Sequence, residues 1–245
     1  GSRADIGLPG VQLELVQKIY GLGKPLVVVL MNGRPLTIEW IDKHIPAVVE
    51  SWFLGTQTGN AVADVLFGDF NPCGKLPVSF PRFVGQIPVN YNHKSTGRPY
   101  NPEEKFTSRY IDYPNSPLYP FGYGLSYTNF KYSNLKLDKL KINKNENIKA
   151  AIDVTNTGKV SGNEVVQLYI RDLVASITRP VKELKGFQKI ELKPGETRKI
   201  EFTITPDMLS FLDINLKKTI EPGEFNVMIG GSSEELLKAS FEIVK

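Results

Sequence analysis

The chain has 245 residues, 41% apolar and 23% charged, a balance typical of an ordinary globular protein with room for two domains. The net charge of +4 is spread thinly, +1 over residues 1–128 and +3 over residues 129–245, with none of the clustering a phosphate-binding surface needs. The single cysteine, Cys73, excludes an internal disulfide and a cysteine-based metal site, and no apolar run approaches the roughly 20 residues that span a bilayer.

The opening Gly1-Ser2 looks like a cloning remnant, so the natural start is expected upstream. Pro9-Gly10 opens a helix that places Val11, Leu15, Ile19 and Leu22 at helical spacing and stops at Gly21 and Gly23. PLVVVLMNG follows. It is β-branched, apolar on both faces and ended by a glycine turn, as a buried parallel strand should be. A weaker helix is expected over Leu36–His44, and AVVESWF reads as the next strand. TGNAVADVLFG is a helix from Thr58 to a C-terminal Gly68, with Ala61, Val65 and Leu66 on one face. GKLPVSF is expected as a third strand.

These elements make a βαβ-type unit with a parallel sheet. Strands this apolar need cover on both faces and partners on both edges, which two or three of them do not supply. The half-domain is therefore expected to be the tail of a larger sheet whose other strands lie upstream.

From Pro81 to Tyr127 the periodicity fails, and prolines fall at 81, 88, 99, 102, 114, 117 and 120. An irregular segment this long is either functional or an inter-domain crossover. From Phe130 onward strands prevail. NIKAAIDVTNTG and NEVVQLYIRD alternate, GFQKIELKPGETRKIEFTI is two strands about a Pro-Gly turn, and GEFNVMIGGSS is a last strand closed by glycines. Roughly seven short strands with regular turn signals predict an immunoglobulin-like β-sandwich, without the disulfide of the antibody version.

Read together, GKPLVVVLMNGRPL (23–36), GNAVADVLFGDFNPCGKLPVSFP (59–81), GQIPVNYNHKSTGRPY (85–100) and LYPFGYGLSYTNF (118–130) resemble the C-terminal region of family 3 glycoside hydrolases, the bacterial β-glucosidases especially. VTNTGKVSGNEVVQLYI (154–170), RPVKELKGFQKIELKPGE (179–196) and EPGEFNVMIGGSS (221–233) resemble the fibronectin type III-like domain that follows in that family. The expected architecture is a partial parallel α/β sandwich over residues 1–85, an irregular crossover over 86–128, and a fibronectin type III-like, immunoglobulin-type β-sandwich over 129–245. The resemblance implies an upstream barrel carrying a nucleophilic aspartate. It also implies an acid/base glutamate shortly before the stretch that matches SRADIGLPG, which puts Ser2 and Arg3 next to it and both catalytic carboxylates outside this chain.

Retaining glycosidases work with two carboxyl groups roughly 5–5.5 Å apart. No pair here stands in for them. Asp64 and Asp69 read as helix-end and turn residues, and Glu103 and Glu104 as solvated. His44 and His93 are too far apart for a metal motif, and no Ser-His-Asp pattern stands out. In MNGRP, Gly33 permits a sharp strand exit, and Arg34 reads first as a partner for a structural carboxylate.

The segment NYNHKSTGRPYNPEEKFTSRY (90–110) is the best functional candidate. Tyr91, Arg98, Arg109 and Tyr110 supply the flat rings and forked donors that suit sugar hydroxyls, and they are the substrate-rim candidates. A crossover pinned to other domains or to a partner subunit explains the same length. LYPFGYGLSY, rich in rings and glycines just before the first sandwich strand, reads as a welded joint between the two units rather than a ligand platform.

The expected function is that of the C-terminal part of a β-glucosidase-like enzyme, inactive alone, whose parent hydrolyses β-linked glucosides or oligosaccharides with retention and without cofactor or metal. Its partners would be that substrate and the N-terminal barrel, with a homodimer allowed and neither nucleic acid nor membrane. The resemblance places it in the periplasm or outside the cell. The alternative is a non-catalytic carbohydrate-binding or structural β-sandwich module. An immunoglobulin-like adhesion domain fits less well, because such modules lack a parallel α/β half.

Overall fold

The valine-rich run after Pro25 forms β1 (Val27–Leu30), paired in parallel with β2 (Ala47–Glu50) so that Val28 faces Val48. The computed structural model describes residues 3–244. Around the pair lie α1 (Gln12–Tyr20), α2 (Glu39–His44) and α3 (Thr58–Phe67). Val28, Leu30, Leu36, Ile38, Ile41 and Ile45 make a small core that Phe80 and Leu118 complete from later in the chain. Tyr20 ties α1 to α2, its ring edge-on to both Trp40 and His44 at 5.7 Å.

Two expectations for this half change. Val11, Leu15, Ile19 and Leu22 are exposed, Val11 by 72%, and only Val16 of α1 packs on the core. Phe67 at the end of α3 is 84% exposed. The helical stripes are real, but no described element lies against them, and β1 and β2 pair only with each other. GKLPVSF is not a third strand of this sheet. Pro77 has no N–H to give a ladder, and the segment instead bonds to the joint. Leu76 N–H donates to the Tyr123 carbonyl, Gly122 N–H to the Leu76 carbonyl, and Phe80 N–H to the Tyr119 carbonyl, each at 2.8 Å.

After a 3₁₀ turn at Val84–Gln86 and a long irregular stretch, the sandwich begins. β3 (Phe130–Leu137), β5 (Ile148–Asn156) and β8 (Thr197–Ile204) form one antiparallel sheet in the order β3-β5-β8. The facing sheet contains β4 (Lys141–Asn143), β6 (Gly162–Asp172), β7 (Glu183–Leu192), β11 (Gly223–Gly230) and β12 (Leu236–Val244), ordered β4-β12-β11-β6-β7. Between β8 and β11 run α4 (Pro206–Leu209) and the short hairpin β9 (Phe211–Leu212) and β10 (Lys218–Thr219).

Alternation fills the space between the sheets. Ile148, Ala150, Ile152 and Val154 of β5 meet Val166, Leu168 and Ile170 of β6 in one core with Val227 and Ile229. β6 departs from simple alternation because Gln167 and Tyr169, on its other face, are buried as well. What covers them is the joint.

Candidate functional site

The stretch 118–127 fastens the two units residue by residue. Leu118 belongs to the α/β core. Tyr119 donates its hydroxyl to Asp42 at 2.7 Å and stacks on Tyr123. On the sandwich side, Gln167 Nε2 donates to the carbonyls of Gly122 at 3.1 Å and Gly231 at 2.7 Å, and Ser233 N–H donates to the Phe121 carbonyl at 2.9 Å. Gly122 has φ +78°, and a Cβ there would lie 2.1 Å from Gln167 Oε1, so only glycine fits. Asn71 adds a second clasp. Its Oδ1 accepts from Ser126 Oγ and Tyr127 N–H, each at 2.8 Å, and its Nδ2 donates to the Ser161 carbonyl at 2.9 Å.

Beneath these lies an ion pair that the sequence did not single out. Lys75 and Glu164 meet with side chains 14% and 5% exposed, and Tyr132 donates to the same carboxylate at 2.9 Å. Burial still holds the Glu164 carboxyl above the usual carboxylate range, against the pull of Lys75 and Tyr132. A signal was there to read. Glu164 falls in phase with Val166, Leu168 and Ile170, and a charge at an inward strand position requires a buried partner.

The rim candidates separate into inward and outward groups. Tyr91 turns inward. Its ring stacks on Phe121 at 4.2 Å, stands edge-on to Tyr169 at 5.8 Å, and its hydroxyl accepts the Leu184 N–H at 3.3 Å. Past it the chain straps onto the sandwich through a Lys94–Pro180 bridge and a bond from Val181 N–H to the His93 carbonyl at 3.0 Å. Arg98 and Arg109 point the other way, exposed and with no side-chain hydrogen bond or ion pair among the described residues. Tyr110 donates to the Gly85 carbonyl at 3.0 Å and rests edge-on against Phe83. With Tyr100, Ile111 and Tyr113, Arg109 and Tyr110 line an open groove of about 440 Å³. The strap thus has a fixed root at Tyr91 and a presented tip at Arg98–Tyr110.

At the C-terminal ends of β1 and β2, where open α/β sheets bind ligands, the Glu50 carboxylate accepts from Trp52 N–H at 2.9 Å and Asn32 Nδ2 at 3.2 Å. Burial raises its pKa more than those two bonds lower it. Asn32 Nδ2 also donates to the Arg34 carbonyl at 2.7 Å, and Arg34 donates to the Arg3 carbonyl. Arg3 donates to the Gly7 carbonyl at 3.0 Å, and Ser2 lies outside the described residues.

The other carboxylates do not converge. The helix-end carbonyl of Asp64 accepts Phe70 N–H, while Glu103 and Glu104 are exposed. His44 stacks on Trp40 at 4.3 Å, far along the chain from the exposed His93. Among the described residues no group of three or more His, Cys, Asp or Glu is placed to hold a metal ion.

Comparison with known proteins turns this geometry into kinship. The profile of the glycosyl hydrolase family 3 C-terminal domain matches residues 1–127, and that of the fibronectin type III-like domain matches residues 164–233. The chain belongs to glycosyl hydrolase family 3. It is 53% identical over 245 residues to a periplasmic beta-glucosidase of Salmonella typhimurium, covering 99% of this chain and 32% of that protein. A beta-xylosidase of Formosa agariphila is 50% identical, covering 96% of this chain and 32% of that protein. The crystal structure of a Listeria innocua beta-glucosidase in complex with glucose superposes with a TM-score of 0.95 at 44% identity, over 100% of this chain and 34% of that one. The chain thus spans about a third of the length of these family 3 relatives, and its α/β and β-sandwich halves correspond to the two matched domains.

Proposed function

We propose that this chain works as the C-terminal part of a retaining, exo-acting β-glucosidase-like hydrolase, joined to an upstream barrel that supplies the nucleophilic aspartate. The observation that carries the reading is continuity. The chain matches a periplasmic beta-glucosidase over 99% of its length without a change of order between the two domains. The open edges of the β1–β2 pair and the bare apolar stripes of α1 and α3 support it, because they leave surface for further sheet and for a neighbouring domain.

In this reading residues 1–85 complete the α/β sandwich, 86–128 form the crossover and 129–245 the fibronectin-like domain. The tip of the strap, Arg98, Arg109 and Tyr110, offers donors and rings to the substrate rim. Tyr91 fixes the root. Arg3 and Ser2 sit beside the segment that brings the acid/base carboxylate. The reaction uses no cofactor, and the protein acts in the periplasm or outside the cell. Among the described residues no helix is long and apolar enough to cross a membrane. A second copy of the protein is a further proposed partner.

The test is to express the sequence with its upstream barrel and assay aryl β-glucosides and aryl β-xylosides side by side. Hydrolysis of the glucoside with β-glucose as first product supports the reading. A preference for the xyloside would move the substrate class to that of the beta-xylosidase relative.

A further inference from the structure

The turns that leave β1 and β2 hold the segment by which the chain enters the α/β unit. Ile6 is buried, and its carbonyl accepts Thr37 N–H at 3.0 Å. Nearer the entry, Arg34 Nη2 donates to the Arg3 carbonyl. The Arg34 turn is itself tied down, since its carbonyl accepts Asn32 Nδ2 at 2.7 Å. The same NH2 group donates to Glu50 Oε2 at 3.2 Å, and Glu50 Oε1 accepts Trp52 N–H at 2.9 Å. One chain of hydrogen bonds thus runs from the exit of β2, through the exit of β1, to Arg3. A Cβ at Gly33 would lie 2.5 Å from Phe53 Cε2, so the two exit turns also interlock.

Glu50 decides which way the Asn32 amide faces. Asn32 Oδ1 is buried with no hydrogen-bond partner among the described residues, while its NH2 serves two acceptors. Turning the amide over would set oxygen against oxygen at both the Glu50 carboxylate and the Arg34 carbonyl. The arrangement is not the cheapest way to close a turn. Trp52 takes φ +51°, a region that bulky side chains avoid. Burial also works against the charge on Glu50, more strongly than its two hydrogen bonds support it. Strain and a half-buried carboxylate together, at the C-terminal ends of parallel strands, mark a place where geometry is held for use.

We propose that Glu50, Asn32 and Arg34 are positioning residues for the acid/base carboxylate of the complete hydrolase, gripping by the Arg3 carbonyl the segment that delivers it. This rests on the reading above, in which that carboxylate lies shortly upstream of Arg3. The three residues act through it and not on substrate. They keep the carboxylic acid within reach of the glycosidic oxygen, which takes the acid's proton as the C–O bond breaks and its electron pair passes to oxygen. A displacement of about 1 Å there costs on the order of 100-fold in rate.

The experiment uses the sequence with its upstream barrel and compares two substrates that differ in their need for that proton. Dinitrophenolate departs unprotonated, whereas phenolate needs the acid. Glu50→Gln keeps the side-chain shape but sets an NH2 against a donor, Asn32 Nδ2 or Trp52 N–H, so the relay loses a link. Arg34→Ala cuts the grip on Arg3 outright. In both variants kcat/KM for phenyl β-glucoside should fall about 30- to 100-fold, and that for dinitrophenyl β-glucoside by less than about threefold. Hydrogen exchange at Thr37, whose amide bonds Ile6, should quicken in Arg34→Ala and reports the loosened segment directly. Equal losses on the two substrates, or none on either, would overturn the proposal and leave the β-glucosidase reading intact. Failure of the unsubstituted protein to hydrolyse even the dinitrophenyl glucoside would instead overturn that reading, and the proposal with it.

Discussion

Lys75 and Glu164 form an ion pair at 3.1 Å across the junction of the α/β unit and the sandwich, the glutamate side chain 5% exposed. The same ammonium donates to the Gly124 carbonyl at 3.0 Å, so one lysine ties the α/β segment, the joint and the sandwich together. Gly124 tolerates no side chain here, since a Cβ would lie 2.1 Å from the Gly74 carbonyl oxygen. The two units are therefore fastened by buried polar contacts rather than by a flexible linker.

Lys75→Met removes the counter-charge and leaves Glu164 buried beside Tyr132. The expected loss is about 3–5 kcal/mol of unfolding free energy at pH 8. Burial already favours the protonated form of Glu164, so the variant should recover part of the loss at pH 5, where that carboxyl takes up a proton more readily. Urea unfolding at both values checks this, and an equal loss at each would show that the carboxylate finds another partner.

Gly122→Ala tests the joint without touching a charge. The positive φ of +78° and the 2.1 Å approach to Gln167 force either a backbone shift or loss of the Gln167 bonds. A penalty of about 2–4 kcal/mol is expected in urea unfolding. Gly97→Ala, where a Cβ meets nothing within 4 Å, serves as the control and should be near neutral.

Asp172 gives a pH signature. Its carboxyl is raised from 3.8 to about 6, chiefly by burial, with Arg179 opposing and Glu221 and Glu183 adding to the rise. A raised carboxyl contributes stability that is fully present below its unfolded value and is lost as pH climbs through the folded one. Asp172→Asn does not titrate, so its stability relative to the parent chain should improve between pH 4 and pH 7, by up to about 3 kcal/mol. Urea midpoints across that range measure it. A variant that falls behind as pH rises would mean that Arg179 outweighs burial.

Root and tip of the strap should respond differently in the complete enzyme. Tyr91→Ala strips a half-buried ring stacked on Phe121 and should destabilise by about 2 kcal/mol. Arg98→Ala and Arg109→Ala should leave the melting temperature in place and lower kcat/KM about 10- to 150-fold, the loss of a charged hydrogen bond to a sugar. Unchanged kcat/KM in both arginine variants would remove them from the rim.

The sequence made the sandwich legible because its strands alternate and its turns carry Pro-Gly and Asn-Thr-Gly. The joint was legible too, since LYPFGYGLSY holds more rings and glycines than any loop in solvent needs. What pattern reading mistook follows from context. GKLPVSF has strand composition, but Pro77 and the pull of the joint decide its partner. Val11, Leu15, Ile19 and Leu22 keep helical spacing, yet spacing reports a buried face and not what buries it. Tyr91 and Arg98 belong to one loop and one composition, and only the position of Phe121 separates root from tip. Asp172 and Arg179, seven residues apart in an unremarkable turn, carry no motif at all; only the return of β7 beside β6 brings them together.

The most direct measurement compares turnover of an aryl β-glucoside by this chain alone with turnover by the same sequence carrying its upstream barrel, both purified to equal homogeneity. Expected are hydrolysis with retained anomeric configuration by the longer protein and none above buffer by residues 1–245. Comparable turnover by the chain alone would place a complete pair of catalytic carboxyls within it, and would contradict a role as the C-terminal part of a β-glucosidase.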